Sequence, residues 1–200
     1  MVSLDRFIEG TLERYPKLWN EYDSSWRSPC EIGEPVELED VTAIEWRPQS
    51  RLEADDFSGL ENAFETEIHQ SIKDYYGSYW SGGLEATCKE GHVSLMFLWN
   101  DEDRDRLVDN LIGHALAQKR SRSPLSIFFA CTDAASAYFL SVNNSTGEVQ
   151  LELPGRKPIR TVESSLSKFL ERLIPAPPYV HPDRVRLTKL FLDSAIKPSL

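Results

Sequence analysis

The chain has 200 residues, 40% of them hydrophobic, and a formal net charge of −10. That length and apolar content suit one buried core rather than two domains, and the apolar runs, such as Leu95 to Trp99, are far shorter than the roughly 20 residues needed to span a bilayer. An acidic balance of this size is repelled by nucleic acid phosphates and by anionic lipid head groups, and it favours basic protein surfaces as partners.

The opening MVSLDRFIEG has neither the basic start nor the small-residue cleavage site of a signal peptide, so a cytosolic protein is expected. Leu4, Phe7, Ile8, Leu12, Tyr15, Trp19 and Tyr22 lie near helical spacing and predict a helix over 4–24, kinked or divided at Pro16. A loop follows around Ser28-Pro29-Cys30. The β-branched, alternating segment Val41 to Trp46 predicts a strand that Pro48 stops. Ser58-Gly59-Leu60-Glu61 reads as a capping box, opening a helix that runs to about Tyr76 with Leu60, Phe64, Ile68 and Ile72 buried.

Leu84 to Lys89 and His92 to Leu98 alternate about Glu90-Gly91 and predict a hairpin. A helix over 101–120 is specified twice. Its apolar stripe is Leu107, Val108, Leu111, Ile112, Ala115 and Leu116, and acids crowd its first turn while Lys119, Arg120 and Arg122 crowd its end, with Asn100 as cap. Strands are predicted over 125–130, 137–142 and 148–153, the last two joined by the turn Asn143 to Gly147. A helix over 162–174 follows, burying Leu166, Phe169, Leu170 and Leu173. Pro175-Ala176-Pro177-Pro178 is a stiff linker to a tail in which 183–196 forms a short basic amphipathic helix, folds back on the acidic half or stays mobile. These elements do not alternate as βαβ units. The expected class is α+β, a mainly antiparallel sheet of about six strands with helices packed against it.

No constellation for catalysis emerges. The histidines His69, His92, His114 and His181 fall in different elements without metal-ligand partners, and there is no phosphate loop or nucleophile elbow. His114, at the edge of an amphipathic helix, reads as structural. Cys30, Cys88 and Cys131 have no CxxC spacing and read as small buried hydrophobes of a reducing compartment, without a disulfide framework or zinc site. Asp101-Glu102-Asp103 could attract a hard cation, but adjacent residues on one helical turn do not converge on one ion, so no metal and no cofactor is expected.

The charge is unevenly spread: residues 1–110 hold 25 acids and 10 bases, and residues 111–200 hold 7 acids and 12 bases. Candidate partner-binding acids are Glu37, Glu39 and Asp40 before the first predicted strand, Glu61 and Glu65 on the second helix, and Asp101, Glu102 and Asp103. Gathered on one concave wall, they would focus the field and speed capture of a basic segment; as separate solvated faces, they would do neither.

Asp109-Asn110-Leu111-Ile112-Gly113-His114 through Gln118-Lys119-Arg120, the strand ending Phe128-Phe129-Ala130, and the turn Asn144-Ser145-Thr146-Gly147-Glu148-Val149 together resemble the family of the SecY-interacting protein Syd. Ser28-Pro29-Cys30, Trp46-Arg47-Pro48-Gln49, Glu61-Asn62-Ala63-Phe64 and the segment Leu166 to Leu173 match in the same order. The resemblance covers about residues 5–175, so a Syd-like domain over 1–175 and a separate tail over 176–200 are expected. It implies a SUKH-like fold and a non-enzymatic protein loosely associated with the cytoplasmic side of the inner membrane. The implied partner is SecY in the Sec translocon, whose assembly the family monitors or regulates, and the implied contact is an acidic concave surface. Cytoplasmic loops of inner-membrane proteins are rich in Lys and Arg, so an acidic domain can recognise them without touching lipid or inserting in it. The alternative within binding modules is a toxin-immunity protein that occludes a basic nuclease; from another class, it is a metal-dependent enzyme.

Overall fold

A computed structural model describes residues 1–39, 41–51, 57–133 and 136–178. The first helix, α1 (Val2–Arg14), buries Leu4, Phe7, Ile8 and Thr11, the i, i+3, i+4, i+7 row of one face. It ends sooner than the sequence suggests. Pro16 has no amide to donate, and the chain leaves the helix as β1 (Leu18–Glu21), which places Trp19 in a strand. Next come β2 (Glu31–Glu37), β3 (Thr42–Trp46) and β4 (Gln49–Ser50). Of these, β2 was not predicted, because Gly33, Pro35 and three glutamates hide any apolar alternation.

The single helix predicted from Ser58 to Tyr76 is two helices, α2 (Ser58–Phe64) and α3 (Gln70–Ser78). Glu65 ends α2 in the left-handed region (φ 51°), and the His69 side chain caps α3 by accepting from the Ser71 amide. The expected capping box is absent. Phe57 occupies the N-cap, and Glu61 turns the other way to accept from the Ile68 amide at 2.8 Å, where it also meets Lys73 Nζ at 2.5 Å.

Beyond them follow β5 (Tyr79–Trp80), β6 (Leu84–Cys88), β7 (Gly91–Leu95), α4 (Asp101–Ser121), β8 (Ser126–Cys131), β9 (Phe139–Asn143) and β10 (Val149–Glu152). The predicted 162–174 helix is a strand, a short helix and a strand: β11 (Arg160–Glu163), α5 (Leu166–Glu171) and β12 (Ile174–Pro175). Its buried residues Leu166, Phe169 and Leu170 were read correctly, but Ser165 caps the helix only there. The predicted tail helix lies outside the described residues.

The fold is α+β. Seven antiparallel strands in the order β11-β10-β9-β8-β7-β6-β12 form a curled sheet, one more than expected, and a second sheet has the order β1-β3-β2. One face of the large sheet, with Val93, Leu95, Ile127, Phe129 and Val142, meets α1, α3 and α5. There Phe129 stacks edge-on against both Tyr75 and Phe169. Helix α4 lies on the opposite face. The small sheet is joined to this core through Trp46, which is edge-on to Trp99 at 5.7 Å and lies against Gly82.

Strand direction fixes two ends. At one, the turns β6–β7, β8–β9 and β10–β11 cluster. At the other lie Gly82, the residues from β7 to α4, the turn Asn143 to Gly147 and the small sheet.

Candidate partner-binding surface

Helix α4 begins with a reciprocal cap. Asn100 Oδ1 accepts from the Asp103 amide at 2.8 Å, and Asp103 Oδ2 accepts from the Trp99 amide at 3.0 Å. Asp103 is therefore a structural carboxylate. Asp101 and Glu102 project from the same turn and line a groove of about 420 Å³ with Ser25, Arg27, Ser28, Pro29 and Asn100. The loop forming the other wall is clamped to the helix start. Ser28 Oγ donates to the Trp99 carbonyl at 2.5 Å, Asn100 Nδ2 to the Arg27 carbonyl at 2.8 Å, and Trp99 Nε1 to the Trp26 carbonyl at 3.1 Å.

The loop leads directly into the small sheet. Its strands hold five glutamates, Glu21, Glu31, Glu34, Glu37 and Glu45, and no lysine or arginine. From outside the strands, Arg27 pairs with Glu31 at 2.5 Å and Lys17 with Glu45 at 3.2 Å. Glu34 and Glu37 are exposed, and Glu37 Oε2 accepts from Thr42 Oγ1 at 2.9 Å. Glu39 is exposed in the turn between β2 and β3, and Asp40 lies outside the described residues.

The predicted acids thus divide by element. Asp101 and Glu102 share the groove beside the small sheet, Glu37 and Glu39 share the far end of the β2–β3 hairpin, and Glu65 is exposed at the end of α2. Glu61, like Asp103, holds a backbone amide and shapes the corner between α2 and α3. Glu34 was missed, because it lies in the unrecognised strand. Among the described residues, no group of three or more His, Cys, Asp or Glu side chains is placed to hold a metal ion. No helix among them is long and apolar enough to cross a membrane.

The segments singled out in the sequence have structural work. Gln118 is buried under α4, where Oε1 accepts from the Ser126 amide at 3.0 Å and Nε2 donates to Ser126 Oγ at 2.6 Å. Ser126 Oγ and Ser141 Oγ in turn donate to the fully buried Glu152 carboxylate. His114 sits edge-on to Phe128 and Phe139, and burial lowers its pKa from 6.5 while the Glu152 charge and Ser126 pull upward. The turn Asn143 to Gly147 holds the α2–α3 linker: Asn144 Oδ1 accepts from the His69 amide and Nδ2 donates to the Glu67 carbonyl, both at 2.8 Å.

A family model described as Syd protein (SUKH-2) matches residues 4–175. The chain belongs to the Syd family. Among curated relatives, it is similar to Protein Syd of Pseudoalteromonas atlantica, at 37% identity over 155 residues, 78% of this chain and 82% of that protein. Protein Syd of Hahella chejuensis is 40% identical over 148 residues, 74% of each chain. Protein Syd of Alteromonas mediterranea is 35% identical over 177 residues, 86% of this chain and 94% of the relative. The family match takes in the α4 segment, the Asn143–Gly147 turn and the Ser28–Cys30 loop, the parts that lock α4 to the large sheet and the small sheet to α4.

Proposed function

We propose that this chain is a non-enzymatic binding protein that docks on basic cytoplasmic loops of SecY at the cytoplasmic side of the inner membrane, and that it monitors or regulates assembly of the Sec translocon. Family membership supports the partner. The observation that supports the surface is the small sheet, whose three strands hold five carboxylates and no lysine or arginine and adjoin the exposed Asp101 and Glu102; Arg27, Lys17 and Arg104 offset part of that charge at Glu31, Glu45 and Asp101. We assign Glu34, Glu37, Glu39, Asp101 and Glu102 to the contact; Glu61 and Asp103 support it through the backbone. Residues 1–175 form the docking domain in this reading, and 176–200 a separate tail. Lys- and Arg-rich loops supply the complementary charge.

The test is binding to purified channel complex in nanodiscs made only of phosphatidylcholine. We expect binding that weakens as salt rises, because exposed charges are screened over about 8 to 10 Å. The variant E34Q/E37Q/E39Q/D101N/E102Q should bind about tenfold or more weakly, at up to about 1 kcal/mol for each exposed pair lost. Undiminished binding by that variant would move the contact elsewhere, and no binding at low salt would sink the SecY reading.

A further inference from the structure

The end of the large sheet opposite the acidic surface has the reverse character. The turn between β10 and β11 reads Leu153-Pro154-Gly155-Arg156-Lys157-Pro158-Ile159, and β11 opens with Arg160. Arg156, Lys157 and Arg160 are all exposed, and none is in an ion pair with a described residue. Between them Ile159 is 50% exposed. The turn is built rigidly: the Arg156 amide donates to the Leu153 carbonyl at 3.1 Å across Pro154-Gly155, with Gly155 at φ +68°, the geometry of a type II turn. The Ile159 amide then returns to the Leu151 carbonyl at 2.9 Å.

Neighbouring acids do not cancel this charge. Glu152, the last residue of β10, is buried and turned toward Ser126 and Ser141. Glu90, in an adjoining turn, is paired at 2.5 Å with Arg172, which also meets Glu163 of β11 at 3.4 Å, and Glu90 is flanked by the exposed Lys89; Asp133 is a further carboxylate at this end. Asp133, Tyr138 and Arg160 line one cavity of about 330 Å³, and Tyr138 adds a second large apolar surface, 43% exposed.

We propose that this basic turn, with Arg156, Lys157 and Arg160 around Ile159, is a docking site for the anionic head groups of a lipid bilayer. Three cations about an exposed aliphatic side chain suit an interface that is charged outside and apolar just beneath. A single-stranded nucleic acid site would instead interleave several aromatic platforms with the bases; the turn itself carries none, and Tyr138 lines the same cavity as Arg160. The net charge of −10 does not forbid the contact, because the acidic sheet lies at the other end of the strands. Strands of four to six residues are about 13 to 20 Å long, longer than the ~8 Å over which charge is felt at physiological salt. The average repulsion inferred from composition therefore does not describe this end. The site goes beyond the channel contact and does not depend on it.

The test is flotation of the full chain with vesicles of equal parts phosphatidylglycerol and phosphatidylcholine, beside vesicles of phosphatidylcholine alone. We expect partitioning onto the anionic vesicles only, reduced by salt. Each cation near such a surface raises partitioning roughly fivefold, so R156S/K157S/R160S should lower it about a hundredfold. Circular dichroism confirms that the variant is folded, and I159W should show blue-shifted emission on anionic vesicles. The proposal is overturned if the parent protein stays with the soluble fraction, if the folded triple variant floats as well as the parent, or if short single-stranded RNA binds more tightly than the vesicles. Because the vesicles hold no protein and the nanodiscs above hold no anionic lipid, the two contacts fail or survive separately.

Discussion

Gly147 has φ +75°, and a Cβ built there would lie 2.7 Å from the His69 ring. Gly155 has nearly the same backbone angle, φ +68°, with nothing within 4 Å. The pair separates two costs of a side chain. Gly155→Ala should lose about 1 kcal/mol through left-handed backbone strain alone, whereas Gly147→Ala should lose about 2 to 3 kcal/mol because the ring must also move. Thermal melting of both variants checks this; equal losses would show that the ring contact adds nothing. The turn at Asn143 to Gly147 was legible from its residue types. Its role in pinning His69 was not, since that partner lies 75 positions away from Asn144 and local spacing cannot reveal it.

Among the elements, α4 was predicted to within a residue because both ends were written in the sequence, Asn100 and the acids at the start and Lys119 and Arg120 at the finish. The α2–α3 break was invisible for the opposite reason. Leu60, Phe64, Ile68 and Ile72 keep a four-residue spacing straight through it, and Ile68 is buried just as a continuous helix would require. Short strands at β11 and β12 were absorbed into one predicted helix because two to four residues give no measurable period. The acids on α2 and α4 were visible, but which of them hold backbone amides depended on caps seen only in the fold. Helix α4 also makes stability depend on pH. Burial against Phe128 and Phe139 lowers the His114 pKa below 6.5, so in acid the unfolded chain takes up the proton first. Stability should be lost as pH falls below 6.5 toward the lowered value, and the loss should level off beneath it. Melting temperatures at neutral and mildly acidic pH should show this component in the parent and not in His114→Gln; an unchanged slope in the variant would assign it elsewhere.

For the molecule as a whole, the small sheet is tied to the large one through the Trp46–Trp99 contact and the Ser28, Trp26 and Arg27 bonds to Trp99 and Asn100. The two sheets should unfold in one transition. Trp46→Ala should lower that single transition by roughly 10 °C, from a loss of about 3 to 5 kcal/mol. A second, earlier transition in calorimetry would show that the small sheet melts alone. The edges of both sheets limit how any partner can be held. Strand β1 is four residues long, and β2 is bent by a register shift between Ile32 and Val36 and bears Pro35; β12 is two residues ending in Pro175; β11 is four residues long. None offers the flat row of free amides and carbonyls that an added strand needs. Recognition therefore falls to side chains, and mostly to charged ones, whose contacts break as readily as they form. If the proposed docking on the channel holds, such a protein would inspect a membrane complex and let go, instead of becoming one of its subunits.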